Sequence, residues 1–243
     1  MPKVSILMTT FNRNELLCMG LTSIIRQGYP DLEIIVLDDG FQDVPQTKEI
    51  CQDFGAKHIH TALSKPDPLH WRIPGFALNI GAHQATGSVF IITCAEMWHL
   101  DNCIEQLVEP VIRNHSKLGI PSGRDDREGK YLVNLDSESV WDEINDLKTT
   151  LPFLMSMWGE HYHTIGGYDE DFLGQSFDDD DFVDRLQLLG CSFEMTAARC
   201  VHLFHSRACY DKRSIGRLNY NKKLYLERKG TMVRNKDKEW GKL

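Results

Sequence analysis

The 243-residue chain is poor in cysteine patterns that could organise a fold. Its seven cysteines (Cys18, Cys51, Cys94, Cys103, Cys191, Cys200 and Cys209) are odd in number and contain no CxxC pair. That argues against a disulfide framework or a cysteine zinc site and sets a reducing, cytoplasmic compartment as the expectation. No apolar run approaches the roughly 20 residues a spanning helix needs. The opening MPKVSILMTTFNR offers about seven residues before a polar break, too few for a signal-peptide core. The segment TTFNRNE lacks the glycine run of a phosphate-binding loop, which argues against a sugar-phosphate nucleotidyltransferase. Internal repeats, low-complexity segments and nucleic-acid recognition signatures are also missing, so no nucleic-acid partner is expected.

What is present is an ordinary globular composition, 42% hydrophobic and 26% charged. The net charge of −8 hides an asymmetry: residues 1–206 carry −16 and residues 207–243 carry +8. A basic C-terminal helical tail fits an anionic membrane surface, as a peripheral contact, or a phosphate-bearing substrate, or the acidic body of the chain itself.

Strand and helix patterns alternate. VSILMTT reads as a buried strand, NELLCMGLTSIIRQG as an amphipathic helix and LEIIVLDDG as a second buried strand. PQTKEICQDFG, KHIHT, GFALNIGAHQAT and SVFIITC continue as helix, strand, helix, strand. This order predicts an α/β fold with a mostly parallel central sheet flanked by helices. Ligands in such sheets sit beyond the carboxyl ends of the strands, which groups residues 9–12, 38–40 and 94–96.

Three stretches carry a family resemblance: the opening through DDG, ALNIGAHQATGSVFII, and IGGYDEDFLGQSFDDDDFVDRLQLLG. Together they resemble a family 2 glycosyltransferase of the GT-A fold, a single Rossmann-like domain, with a C-terminal motif like that of galactosyl- and N-acetylgalactosaminyltransferases. The resemblance covers about residues 4–206. It implies a nucleotide-sugar-binding half over 1–100, an acceptor-binding half over 101–206 and an uncovered basic tail over 207–243. The polar span 122–147 then reads as an acceptor-side insertion with a long mobile loop.

The same resemblance implies a UDP-sugar donor and a glycan or other hydroxyl acceptor. Thr10, Phe11, Asn12, Arg13, Asp38, Asp39, Arg72, Asn79, Gly81, Cys94 and Ala95 fall on the nucleotide-sugar side. Phe11 can stack on a base while Asp38 or Asp39 accepts from a uracil N–H or ribose hydroxyls. Trp158, Gly166, Gly167 and Asp178 fall on the acceptor side. The two departures are Leu78, where the family places arginine, and Cys94-Ala95-Glu96, where it places its metal-binding D-x-D. Only Glu96 keeps a carboxylate there, suited to Mn2+ or Mg2+. His202 or His205 would complete the shell; on a strand an i, i+3 pair points to opposite faces, so one of them, preferably His205, is expected to face the crevice.

Four adjacent aspartates, Asp178 to Asp181, need compensation, since helix and strand both disfavour Asp. Laid over the resembled motif, Asp179 becomes the general base of an inverting transfer and Asp178 an acceptor ligand. Asp180 and Asp181 then cap the following helix or pair with Arg185. Crowded like charges raise at least one pKa. The broken D-x-D keeps a rival open, a non-catalytic nucleotide-sugar-binding protein.

Overall fold

The computed structural model describes residues 1–40, 45–64, 73–174, 176–206 and 212–243, with side chains from 217 onward in the last stretch. In chain order the first half runs β1 (Val4–Thr10), α1 (Asn14–Ile25), β2 (Leu32–Asp38), α2 (Pro45–Asp53), β3 (Lys57–His60), α3 (Pro74–Gln84), β4 (Val89–Cys94) and β5 (Met97–Leu100). The second half runs α4 (Cys103–Arg113), β6 (Lys117–Asp125), α5 (Glu138–Glu143), β7 (Asn145–Asp146), β8 (Leu154–Trp158), α6 (Gly159–Thr164), α7 (Asp178–Leu188), β9 (Ser192–His202) and α8 (Lys212–Arg228).

One sheet of order β3-β2-β1-β4-β8-β6-β9-β5 spans the molecule. Its first four strands are all parallel; antiparallel pairs begin with β4 against β8. β1 reads as an unbroken apolar run because it is paired on both edges and covered on both faces. Leu17, Leu21 and Ile24 of α1 join Leu107 and Val111 of α4 on one face. Ala77 and Leu78 of α3 join Tyr162, Phe182 and Leu186 of α6 and α7 on the other. A side chain at Gly81 would run into Leu37, so this glycine sets how closely α3 approaches β2.

The span 122–147 is packed rather than loose. Tyr131, Trp141 and Ile144 are buried against Val201 and Leu203, and Ser137 caps α5 by accepting from the Val140 N–H. Apolar anchors in a polar stretch fasten it to the end of β9.

The tail also folds back onto the body. Arg228 pairs with Asp169 and Asp171, Lys229 with Asp184, and Lys238 with Asp171. Arg234, buried, lies 3.1 Å from Asp169 and 2.6 Å from Asp181. Asn235 donates to the carbonyls of Gly166 and Tyr168. These four cations of the tail meet the acidic body of the chain.

Candidate active site

The register places the crevice. Thr10 stands opposite Asp38, and Thr9 opposite Cys94, so β1, β2 and β4 end together. Just beyond them Asn12 adopts a left-handed backbone (φ 53°), and a Cβ on Gly40 would meet its side-chain oxygen at 2.5 Å. Asp38 accepts from the Gly40 N–H at 3.0 Å and faces His58 at 3.4 Å. Thr61 donates to Asp39 at 2.9 Å, and the Asp39 N–H donates to the Thr10 carbonyl at 3.0 Å. Asp38 and Asp39 are thus oriented acceptors at the floor of the crevice. Among the described residues the Thr10 hydroxyl, buried, has no hydrogen-bond partner, a group that a bound ligand would satisfy. His58, His60 and Thr61 steady this turn through their bonds to Asp38, Gly40 and Asp39.

The D-x-D position is rebuilt. Burial pushes the Cys94 thiol up to about 12, with the Arg13 guanidinium pulling it down and the Asp179 charge adding to the rise. A neutral thiol there is a poor ligand for a hard cation. Ala95 is buried and donates its N–H to the Thr9 carbonyl. Glu96, 3% exposed, forms an ion pair with Arg13. Behind it the Leu203 N–H donates to the Glu96 carbonyl, which brings the end of β9 alongside.

There the two histidines are not held on opposite sides of a strand. β9 ends at His202, the chain leaves the strand, and the Nε2 atoms of His202 and His205 stand 3.4 Å apart. His202 Nδ1 contacts Asp125 at 3.0 Å, the carboxylate backing that orients a metal-ligating imidazole. Two imidazoles and a carboxylate are donor types that suit a divalent ion such as Mn2+, but the donor atoms of His202, His205 and Glu96 do not all lie within 4.8 Å of one another. Glu96 would have to exchange Arg13 for the ion. Among the described residues a tight trio of metal-capable side chains occurs elsewhere, His115, Glu160 and His161, with donor atoms within 4.8 Å of one another.

All four aspartates lie in the first turn of α7, where the helix dipole favours negative charge. Their surroundings differ. Asp181 pairs with Arg185 at 2.7 Å and with Arg234. Asp178 is buried, and that burial, with the Asp179 charge, drives its pKa well up. Asp179 is half-buried and accepts a hydrogen bond from the Tyr168 hydroxyl at 3.0 Å. Burial raises its pKa, the Tyr168 bond opposes the rise and Asp180 adds to it, leaving it pushed up to about 6. Tyr168 is fixed in turn: its ring stacks on Phe182 at 4.1 Å, and its backbone N–H donates to Asn79.

Several residues grouped with the site serve the scaffold instead. Asn79 is fully buried, its oxygen accepting from Tyr162 and Tyr168 and its amide donating to Tyr168 and Glu170; that leaves it nothing to offer a nucleotide. Gly81 is a packing residue, as described above. Gly166 and Gly167 have positive φ (76° and 65°), and side chains there would collide with Arg234 and with Asn79 and Trp240. They admit the C-terminal segment rather than an acceptor. Trp158 pairs with Val89, the first residue of β4, at the end of the sheet remote from Cys94. Its indole donates to the Val111 carbonyl and stacks on His115. Arg72 lies outside the described residues. Tyr168 and Arg234 emerge as supports that motif reading passed over.

Comparisons with known proteins agree with this layout. Residues 5–166 match the family described as glycosyl transferase family 2, and residues 138–207 match the N-terminal domain of galactosyltransferase. The glycosyltransferase GlyA of Streptococcus pneumoniae serotype 4 is 21% identical over 173 residues, 66% of this chain and 24% of that protein. A Campylobacter jejuni GalNAc(5)-diNAcBac-PP-undecaprenol beta-1,3-glucosyltransferase is 47% identical over 53 residues, 22% of this chain and 16% of that protein. The chain therefore spans about a quarter or less of the length of these two relatives. GalNAc-T7, solved with UDP, GalNAc and Mn2+, superposes with a TM-score of 0.64 at 15% identity, over 85% of this chain and 44% of that one. A Pyrobaculum calidifontis mannosyltransferase with GDP-Man and Mn2+ gives 0.60 at 17% identity, over 86% and 59%. These likenesses establish the GT-A fold.

Proposed function

The chain belongs to glycosyl transferase family 2, and on that premise we propose that it moves a hexosyl or N-acetylhexosaminyl unit from a UDP-sugar to a hydroxyl of a glycan or other acceptor, with inversion. The observation that supports this best is the Tyr168–Asp179 pair. It holds a half-buried carboxylate, with a pKa pushed up to about 6, close enough to Cys94 for its charge to reach the crevice.

As the acceptor oxygen attacks the anomeric carbon, Asp179 takes its proton and the bond to the UDP oxygen breaks. Tyr168 keeps the carboxylate aimed throughout. Thr10, Asn12, Asp38 and Asp39 offer polar contacts to the nucleoside, with Phe11 beside them as a stacking surface. Glu96, His202 and His205 would hold a divalent metal, which when bound neutralises charge on the leaving diphosphate. Until then Arg13 balances Glu96.

The test is UDP release from a panel of UDP-sugars with and without Mn2+, beside calorimetry of UDP binding. Release from one donor with measurable UDP affinity supports the reading; a folded protein that gives no heat with millimolar UDP and Mn2+ sinks it. The Cys94 position and the Arg13–Glu96 pair favour a second reading, a nucleotide-sugar-binding protein without turnover. UDP binding with no release from any donor would select it.

A further inference from the structure

A second cluster of metal-capable side chains lies away from the crevice. His115, in the turn between α4 and β6, meets Glu160 and His161 of α6, and their donor atoms lie within 4.8 Å of one another. His115 Nδ1 and His161 Nε2 stand 3.3 Å apart. That is long for a hydrogen bond. Bonds of about 2.0–2.1 Å in a tetrahedral shell set two ligating nitrogens roughly 3.3–3.4 Å apart. Both rings are held in place. His115 stacks on Trp158, with ring centroids 5.5 Å apart and planes 25° from parallel, and its Nε2 meets the Glu160 carboxylate. His161 is buried, and its Nδ1 contacts the Cys191 sulfur at 3.6 Å. A proton on that Nδ1 leaves the Nε2 lone pair facing His115, the backing expected of a ligating imidazole.

We propose that His115, His161 and Glu160 hold a Zn2+ ion, with water as the fourth ligand. Imidazole nitrogen suits Zn2+, and one carboxylate oxygen completes a three-ligand set. Mn2+ favours oxygen-rich sites, so this ion differs from the one considered for the crevice. The site adjoins Trp158, which pairs with Val89 at the end of the sheet remote from Cys94. It is therefore a staple and takes no part in sugar transfer: the ion joins the α4–β6 turn to α6, segments 45 positions apart in the chain. The side chains of His115 and Glu160 are 59% and 61% exposed, so Zn2+ reaches them from solvent and Glu160 is free to turn onto it. The proposal stands whether or not the chain turns over a donor.

His115→Gln and Glu160→Gln remove donors at exposed positions, where substitution costs the fold little. Each is made in a full-length chain that also carries Glu96→Ala and His205→Ala, so that the crevice donors do not contribute. The probe is Zn2+ alone, added to metal-stripped protein and read by calorimetry and by melting temperature. The background chain is expected to take up one Zn2+ and, with free Zn2+ at about 100 times its Kd, to melt about 5–10 °C higher. Glu160→Gln should weaken Zn2+ roughly 10- to 100-fold and His115→Gln at least as much, with the melting shift shrinking in step. Mn2+ at the same concentration should give a much smaller shift. A background chain that shows neither heat nor a melting shift with Zn2+ overturns the site. So do folded glutamine variants that both bind Zn2+ as tightly as the background chain does.

Discussion

Arg13 forms an ion pair with Glu96, so a cation from the turn after β1 already sits on the one carboxylate left at the D-x-D position. Arginine and a divalent ion therefore compete for the same oxygens. Arg13→Gln is expected to raise Mn2+ affinity several-fold, while Glu96→Ala weakens Mn2+-dependent UDP binding by roughly 10- to 100-fold. Calorimetry of UDP with Mn2+ and with EDTA reads both. Identical UDP affinity in the two buffers removes the metal from the reaction without touching the fold.

Asp179→Asn separates base from cap. Asparagine keeps the shape and remains a good residue at a helix start, but it cannot take a proton. Turnover should drop about 100-fold or more with UDP affinity retained. Asp180→Asn is the control and should cost little. Wild-type turnover in Asp179→Asn would move the base elsewhere in the run or out of it.

The raised pKa of Asp179 sets two pH dependences of opposite sign. As a base it works ionised, so kcat/KM should climb with pH through about 6 and level off above. For stability the folded pKa exceeds the unfolded one, about 3.9. The fold therefore favours the protonated form, and this contribution is full below about pH 4 and lost as pH rises through about 6. Asp179→Asn should melt higher than wild type at pH 7 to 8, with the advantage gone by about pH 4. An unchanged difference in melting temperature across that range refutes the assignment.

Arg234→Ala removes a buried cation from Asp169 and Asp181 at once. Breaking a buried pair by deleting one partner costs about 3–5 kcal/mol. In a chain of this size that corresponds to a melting-temperature drop of about 6–20 °C. A change of under about 2 °C would mean that the segment is not holding α7.

Trp158→Ala should lower stability and leave acceptor KM unchanged, because the indole belongs to the far end of the sheet. A rise in acceptor KM at unchanged stability would return this residue to the acceptor side.

The nucleotide-side strands were legible because their signals are local: seven-residue apolar runs such as VSILMTT, each closed by polar turn residues, lie where β1 and β2 do. The aspartate run was legible for the same reason, its pairing with Arg185 being an i, i+4 relationship on one helix. What stayed hidden was long-range. Asn79 looks like a ligand residue until Tyr168, 89 positions away, is seen bonded to it. The glycines of IGGYDE read as acceptor-lining until Arg234 is found against Gly166 and Trp240 against Gly167. That the two histidines come together depends on the strand ending at His202, a boundary that periodicity fixes poorly.

The C-terminal segment that crosses Gly166, with Asn235 bonded to the Gly166 carbonyl and Arg234 to Asp181, also imposes a timetable on synthesis. Domains generally fold from the N-terminal side as they are made. The parallel strands β1 to β4 can pair while later residues are still being added. The start of α7 is then only partly neutralised, because Asp181 has Arg185 but not yet Arg234, and Asp169 has neither Arg228 nor Arg234. A nascent chain stalled at about residue 206 would hold a formed nucleotide crevice beside an unanchored base. Ribosome-bound intermediates should accordingly bind UDP before they can turn over a donor.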